Sequence, residues 1–214
     1  MNIEDTLKYI AQNQPKTIHI SGKTSTGKST LAKELRDLFK YEIVELDQIV
    51  ISEIVKHNSS IEEGLIFAEV YKNRNRLDWI EQFVSSATER LNELHSAKIN
   101  TIIEGAIGNP QTLREVLGDS SAIIIYLHPK NLQTYVRNLT SRFLTATHEN
   151  NAGLPSKFWN KVPSDDFKFF LKDKKLSPPI KNAIEAYAKE SQIESAKRLR
   201  TFQNHFDNIA VVNI

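Results

Sequence analysis

The chain has 214 residues, 40% apolar and 25% charged, and a formal net charge of +2. This length suits one domain with a full hydrophobic core, and so small a charge gives no reason to expect a nucleic-acid or membrane partner. Cysteine is absent, which excludes disulfides, thiol catalysis and cysteine-bound zinc. Since no apolar run could span a bilayer and the first residues do not resemble a signal peptide, we expect a cytoplasmic protein.

The first elements are a helix, a strand, a glycine-containing loop and a second helix. Apolar residues at helical spacing predict a short helix from Ile3 that stops before Pro15. The β-rich run Thr17–Ser21 predicts a strand that ends at Gly22. Leucines at helical spacing then predict the second helix, at Leu31, Leu35 and Leu38.

Further apolar runs predict the rest of a parallel sheet. The runs are apolar throughout rather than alternating with polar residues, and helical patterns separate them, which indicates a sheet covered by helices on both faces. One long helix, with Ile180, Ile184 and Tyr187 on its apolar face, precedes the last run. The predicted strands are Tyr41–Asp47, Asn100–Gly105, Ala122–Pro129 and Ile209–Ile214.

Two segments do not belong to this regular alternation, although we expect residues 1–214 to form a single domain. Residues 48–97 are predicted to be a mostly helical insertion that would bind an acceptor molecule. Residues of about 140–179 are predicted to form a lid, and Thr145–Pro179 is the least regular part of the chain. Aromatic residues alternate with lysines in this segment. We expect the rings to pack inward and the lysines to face outward, and we consider this more plausible than a surface that stacks nucleic-acid bases.

Residues 22–29, GKTSTGKS, match the pattern G-x-x-x-x-G-K-[ST] at every fixed position. Glycines let successive backbone N–H groups converge on phosphate oxygens, and the helix that follows presents its positive end to the same anion. Lys28 is expected to reach the terminal phosphates, and the Ser29 hydroxyl to bind Mg²⁺. The predicted nucleotide-binding residues are Gly22, Thr24, Ser25, Thr26, Gly27, Lys28, Ser29 and Thr30.

Two acids end the predicted strands beside this loop, at the edge of the sheet where ligands bind in open parallel sheets. Asp47 is our candidate for the general base that takes a proton from an acceptor hydroxyl, although an Asp here could equally cap a helix. Glu104 is expected to orient Mg²⁺, its waters or the acceptor, although a strand-end acid can also be merely solvated. Gly105 beside it indicates a close backbone approach. The predicted metal ligands are Ser29, Asp47 and Glu104.

Arginines follow the fourth predicted strand at Arg137 and Arg142. Arginine at this position would stabilise charge that develops during phosphoryl transfer, while the alternative is a pair of solvated basic residues. Their spacing does not place them on one helix face unless the helix ends or bends between them. Arg74 and Arg76 could bind an anionic acceptor, but a solvated helix end is the better interpretation.

In these features the sequence resembles the P-loop small-molecule kinases, and most closely the group of uridine kinase and phosphoribulokinase. The resemblance implies a P-loop NTPase sandwich whose five parallel strands run in the order 2-3-1-4-5. It also implies an Asp47 base, a Glu104 role near Mg²⁺ or the acceptor, and lid arginines at Arg137 or Arg142. It rests on the loop at 22–30, Asp47, IIEGAI at 102–107 with Leu113 and Arg114, and YLHP with the later arginines.

The leading hypothesis is an ATP- and Mg²⁺-dependent kinase that phosphorylates a hydroxyl of a small metabolite, nucleoside-like or sugar-like. Two alternatives remain open. One is a kinase of a macromolecular or nucleotide-sugar acceptor, in the manner of polynucleotide kinases or zeta-toxin-like kinases. The other is a nucleotide-dependent switch, although no guanine-reading NKxD motif is found. The acceptor's identity, the oligomeric state and a preference for ATP or GTP are left open.

Overall fold

The computed structural model describes residues 3–49, 52, 77–105, 109–118, 122–147 and 152–214. Within these ranges the chain forms a five-stranded sheet in the order β2-β3-β1-β4-β5, and every pair of neighbouring strands is parallel. The predicted fold class and strand order are confirmed. The strands are β1 (Thr17–Gly22), β2 (Glu42–Glu45), β3 (Thr101–Glu104), β4 (Ile123–His128) and β5 (Ile209–Asn213).

Helices cover both faces of this sheet. Residues Ile18 and Ile20 of β1 face one side, where they pack against the helices α1 (Ile3–Asn13) and α2 (Lys28–Phe39). Alternate strand residues face the other side, which buries Ile103 and Ile124. The helices on that second face are α3 (Leu77–Ser96), α4 (Pro110–Leu117) and the end of α8 (Pro178–Gln203). The remaining helices are α5 (Leu132–Phe143), α6 (Ser156–Trp159) and α7 (Ser164–Asp173).

The second strand is shorter than predicted. It ends at Glu45, and a helical turn begins at Leu46, so the prediction that Asp47 ends a strand is wrong. Glu45 pairs in register with Glu104, the last residue of β3. The chain turns away at Gly105, whose φ is +141°, so a longer β2 would have no neighbour with which to pair.

The predicted helical insertion is described only in its second part. Helix α3 confirms the helix expected around Leu77, Ala87 and Leu91. Arg74 and Arg76 lie outside the described residues, as does most of the predicted acceptor-binding segment. None of the described helices is long and apolar enough to cross a membrane.

The segment predicted to be irregular, residues 145–179, is more helical than its prolines suggested. Pro155 and Pro163 are the cap residues that precede α6 and α7, and prolines also begin α8. Proline is tolerated at a helix start because the first N–H groups of a helix lack intrahelical partners anyway. In this segment, therefore, the prolines mark helix beginnings rather than a structureless loop.

An aromatic cluster joins this segment to α5 and α8. Phe143 is its central ring and lies 4.7 Å from Phe170 and 5.8 Å from Phe158 between ring centroids. Phe143, Phe158 and Phe170 are fully buried, whereas Phe169 is 48% exposed. The aromatic residues thus mostly pack inward, as predicted, and Phe169 is the exception.

Several polar side chains are buried in the strands of the sheet, and one of them is a histidine. His19 of β1 is fully buried, and neither ring nitrogen has a hydrogen-bond partner. Burial, with a smaller contribution from the positive charge of Lys28, lowers the pKa of His19 to about 3. His19 is therefore neutral in the folded protein at physiological pH.

Replacing Phe143 by alanine should lower the free energy of unfolding by about 3–5 kcal/mol, because it opens a cavity among four aromatic neighbours. Phe169→Ala in the same segment is the matched control and should cost about 1 kcal/mol or less. Urea-induced unfolding measures both values. Equal losses in the two variants would contradict the central role of Phe143.

His19→Leu should weaken the pH dependence of stability. In the wild type the unfolded chain binds a proton at His19 below about pH 6.5, whereas the folded chain does so only near pH 3. Stability should therefore rise with pH across this window, by about 1.4 kcal/mol per unit from this residue alone. Urea titrations between pH 4 and 8 compare the variant with the wild type. Parallel curves would contradict a neutral, buried His19.

Candidate active site

The candidate site lies at the carboxyl edge of the sheet, where the ends of β1 and β3 meet. The parallel register places Glu104 between Ile20 of β1 and Glu45 of β2. The loop from Gly22 to Lys28 follows directly after Ser21 of β1, so it lies over the same edge of the sheet. Residues that are distant in sequence thereby become neighbours around one point.

The start of α2 suits an anion. Gly27 is its cap residue, in a left-handed conformation with φ +90° and no side-chain hydrogen bond to the helix, and the first turn contains no acid. The first backbone N–H groups of a helix have no intrahelical partner. Here no side chain of the cap satisfies them, so these donors and the positive end of the helix can serve a phosphate.

The loop leaves no space for a side chain at Gly22. Its φ is +148°, and a Cβ atom there would lie 2.8 Å from the Leu127 carbonyl oxygen and 2.8 Å from Thr26 Oγ1. Thr26 in turn is buried, and its hydroxyl donates a 2.7 Å hydrogen bond to the carbonyl of Lys23. The tight loop therefore depends on glycine at the place where β1 passes closest to β4.

Helix α5 holds the tip of the loop from outside, a contact that the sequence pattern did not reveal. The Tyr135 hydroxyl donates to the carbonyl of Thr24 at 2.9 Å, and the Asn138 amide donates to that of Ser25 at 3.4 Å. In a trans peptide the N–H points opposite to the carbonyl. Fixing these carbonyls toward α5 therefore turns the following N–H groups toward the inside of the loop.

The Lys28 side chain lies across the loop and is half-buried. Its ammonium donates to the Lys23 carbonyl at 3.2 Å. Burial lowers the pKa of Lys28, Glu104 and Asp47 oppose this shift, and Arg142 and Arg198 add to it. Lys28 thus stands between two acids and two arginines, where a bound polyphosphate would be neutralised from several sides.

Several neighbouring groups act on the Glu104 carboxyl. Burial raises its pKa, the charge of Lys28 opposes this, the nearby Asp47 carboxylate adds to it, and the Ser29 hydroxyl opposes it. Of the three predicted metal ligands, Ser29 and Asp47 are therefore both close enough to act on the third, Glu104. Asp47 itself is exposed, whereas Glu104 is half-buried.

Gly105 makes the approach of Asp47 possible. A Cβ atom at Gly105 would lie 2.9 Å from the Leu46 Cβ and 3.5 Å from Asp47 Oδ1. The close backbone approach expected from the sequence is thus between the end of β3 and the helical turn after β2. A larger residue at position 105 would clash with Leu46, the first residue of the helical turn that carries Asp47.

These residues fit a Mg²⁺ ion that retains water ligands. No group of three or more acids and histidines that could hold a metal occurs among the described residues. Mg²⁺ in nucleotide sites is commonly bound by one or two protein carboxylates, with phosphate oxygens and waters completing the octahedron. A hydroxyl and two carboxylates at this edge meet that requirement, but not that of an all-protein cage.

The two predicted arginines differ in position. Arg142, in the last turn of α5, donates from Nε to the Ala152 carbonyl, and its charge acts on Lys28. Arg137 is exposed on the same helix and is not among the charges that act on Lys28. The structure therefore brings Arg142, but not Arg137, toward the loop. Thr30 is exposed in the first turn of α2.

Residues of α8 were missed by the sequence analysis. Glu194 accepts a 2.6 Å ion pair from Lys23 of the loop and a second one from Lys157 of α6. These charges lower the pKa of Glu194 to about 2, with Lys157 the largest cause. The helical pattern of α8 was recognised, but nothing in it indicates that the helix passes the phosphate loop. Arg114, part of the resemblance, instead donates to the His205 carbonyl beyond α8 and stacks on Phe206.

Gly22→Ala should abolish tight binding of nucleoside triphosphates, because the added methyl group meets a backbone carbonyl that cannot move aside. Gly118→Ala is the matched control, since it too has a positive φ, +58°, but meets nothing within 4 Å. The control should lose only about 1 kcal/mol of stability and retain binding. Equilibrium titration with a fluorescent ATP analogue measures both. Unchanged affinity in Gly22→Ala would contradict the assigned loop geometry.

Several solved structures are similar to this chain at low sequence identity. An unliganded sugar kinase from a Janibacter species is 14% identical, covers 89% of this chain and 97% of its own, and has a TM-score of 0.43. Shikimate kinase from Bacteroides thetaiotaomicron is 14% identical, with coverages of 92% and 86% and a TM-score of 0.48. Dephospho-CoA kinase from Campylobacter jejuni is 15% identical, with coverages of 93% and 89% and a TM-score of 0.46.

No curated protein sequence matches the chain. The family model described as Zeta toxin matches residues 2–122, a stretch that includes the loop, Asp47 and Glu104. The expected membership among kinase-like P-loop proteins is confirmed, while the narrower likeness to the uridine kinase group stays a prediction. Because the matched stretch covers more than half of the 214 residues, the chain belongs to the zeta toxin family.

Proposed function

We propose that this protein is an ATP- and Mg²⁺-dependent phosphotransferase that moves the γ-phosphate to a hydroxyl group of a small molecule. One observation carries the proposal: Lys28 of the loop lies within electrostatic reach of both Glu104 and Asp47. A loop that only holds phosphate needs the lysine and the helix end. Acids beside them add the means to hold Mg²⁺ and to accept a proton.

Each group has a part in the proposed transfer. The amide groups at the start of α2 and the Lys28 ammonium would hold the β- and γ-phosphates. Ser29 and Glu104 would hold the Mg²⁺, which neutralises charge on the phosphates. The acceptor oxygen then attacks the γ-phosphorus, and the bond from that phosphorus to the β–γ bridging oxygen breaks. The proton of the acceptor hydroxyl passes to a base, and ADP leaves.

Asp47 is the proposed base. It is the more exposed of the two acids, so a hydroxyl from solution can reach it, whereas Glu104 lies deeper beside Ser29. The space above Gly105 lets the Asp47 carboxylate approach the end of β3 without a clash. Asp47 stands inside the helical turn that begins at Leu46 rather than before it, which makes a pure capping role a poorer explanation.

Arg142 is the proposed stabiliser of the charge that builds up during transfer. It is tied to the Ala152 carbonyl, so it links α5 to the segment predicted as a lid, and its charge reaches Lys28. Movement of that segment would therefore move Arg142 with respect to the γ-phosphate. Arg137 is retained only as a weaker candidate, because its charge is not among those that act on Lys28.

The chemical class of the acceptor is a further part of the proposal. A nucleoside-like or sugar-like metabolite is the leading class, and membership of the zeta toxin family supports the separate alternative of a nucleotide-sugar acceptor. A nucleic-acid acceptor finds less support. The aromatic residues Phe158 and Phe170 are buried, and Lys157 and Lys161 pair with acids of α8, so these rings and charges are not free for bases and phosphates. A reaction that consumes ATP also fits the expected cytoplasmic location.

The direct test combines an acceptor panel with a variant of the base. ADP release is measured with sugars, nucleosides and nucleotide-sugars, and at least one acceptor should raise it well above the rate with ATP alone. With that acceptor, Asp47→Asn should lower kcat by about 10²–10⁴-fold while ATP affinity is kept. Glu42→Gln is the matched control, because Glu42 is also an exposed acid but lies at the start of β2, and it should change neither value.

Two results would count against the proposal. ADP release that no acceptor in the panel increases would favour the alternative of a nucleotide-dependent switch. Full kcat in Asp47→Asn would reject Asp47 as the base and leave only the phosphate-binding part of the proposal standing.

A further inference from the structure

Positive charges are crowded around the phosphate loop. Lys23 and Lys28 belong to the loop, Arg142 comes from α5 and Arg198 from α8. The charge of Arg198 acts on both lysines, and the charge of Arg142 acts on Lys28. These like charges repel one another, and their partial burial makes the repulsion stronger than it would be in water. An anion bound among these cations would offset their repulsion, so the cluster is suited to bind one.

Contacts along α8 fix the direction in which Arg198 faces. Glu194 pairs with Lys23, and the Ser195 side chain lies 3.3 Å from the Tyr126 hydroxyl and 3.1 Å from His128 Nδ1. This face of α8 therefore lies against the loop and the end of β4. Arg198 follows Glu194 by four residues and Ser195 by three, so it occupies the same face one turn farther along. Its side chain is half-buried there.

The other cations of the group have partners, but Arg198 does not. Glu194 pairs with Lys23, Glu104 and Asp47 act on Lys28, and the Ala152 carbonyl accepts from Arg142. Within the ranges that the structure describes, the Arg198 guanidinium makes no hydrogen bond or ion pair. The five N–H donors of this half-buried guanidinium therefore remain available for a ligand that supplies acceptor oxygens.

We infer that Arg198 of α8 binds the γ-phosphate of the nucleotide. The inference rests on the proposed function and deepens it by adding a residue to the phosphate site. The planar guanidinium can donate two parallel hydrogen bonds to two oxygens of one phosphate, which a lysine cannot do. With Glu194 neutralising Lys23, the charges of Lys28, Arg142 and Arg198 are left for the terminal phosphate.

The test compares the affinities for Mg-ATP and Mg-ADP by isothermal titration calorimetry. Arg198→Gln should weaken ATP binding by about tenfold to a hundredfold, as expected for losing hydrogen bonds to a charged group. ADP binding, which lacks the γ-phosphate, should change less than about threefold, within the spread of indirect effects. Arg198→Lys should recover part of the ATP affinity, because it restores the charge without the fork.

Arg200→Gln is the matched control, since Arg200 is an exposed residue of the same helix and should leave both affinities unchanged. Unfolding curves of Arg198→Gln that coincide with the wild type exclude a merely structural loss. Equal weakening of ATP and ADP, or no weakening of either, would overturn the inference. So would unchanged ATP affinity with a raised KM for the acceptor, which would assign Arg198 to a phosphate of the acceptor. Wild-type protein that binds no ATP would reject the proposed function itself.

Discussion

The attraction between a polyphosphate and the positive end of α2 is the interaction on which the rest of the site depends. The cap residue Gly27 contributes no side-chain hydrogen bond, and no acid stands in the first turn, so the helix end keeps its donors for a ligand. Most helices in proteins satisfy this end with a capping side chain, as Asn131 does for α5. Here that stabilisation is given up in favour of binding.

The surrounding structure maintains this arrangement from three sides. From below, the close passage of β1 and β4 requires glycine at position 22. From outside, Tyr135 and Asn138 of α5 hold the loop carbonyls. Across the second face of the sheet, α8 reaches the loop through the pair between Glu194 and Lys23. Glu194 also pairs with Lys157 of α6. The loop, α8 and α6 are therefore connected through one carboxylate, and a change in one of the two ion pairs will affect the other.

The strands, the loop and the position of Glu104 could be predicted from the sequence because each depends on local patterns, whereas the strand order was implied only by the resemblance to P-loop kinases. A buried strand is readable from its apolar run, and the loop from the spacing of its glycines and Lys28. Asp47 was placed correctly near the sheet edge but wrongly at a strand end. The end of β2 is determined by where β3 stops, which is not written in β2 itself.

The α8 contacts show where such reasoning ends. Lys23 and Glu194 are 171 positions apart, and their pairing follows from how α8 crosses the sheet rather than from any short motif. The same holds for Arg198, whose periodic context indicates only a helix. The prolines of residues 155–179 suggested an irregular segment, but the structure has helices there. A proline can equally interrupt a helix or begin one, and its local sequence does not distinguish the two.

A crystal structure with Mg²⁺ and a non-hydrolysable ATP analogue would test the central claim most directly. The account predicts that the Lys28 ammonium leaves the Lys23 carbonyl for the β- and γ-phosphate oxygens. It also predicts that the Ser29 hydroxyl and Glu104 turn toward a Mg²⁺ ion bound to the same phosphates, with Asp47 facing the open side of the γ-phosphate. A triphosphate bound away from the start of α2, with Lys28 still on the Lys23 carbonyl, would contradict it.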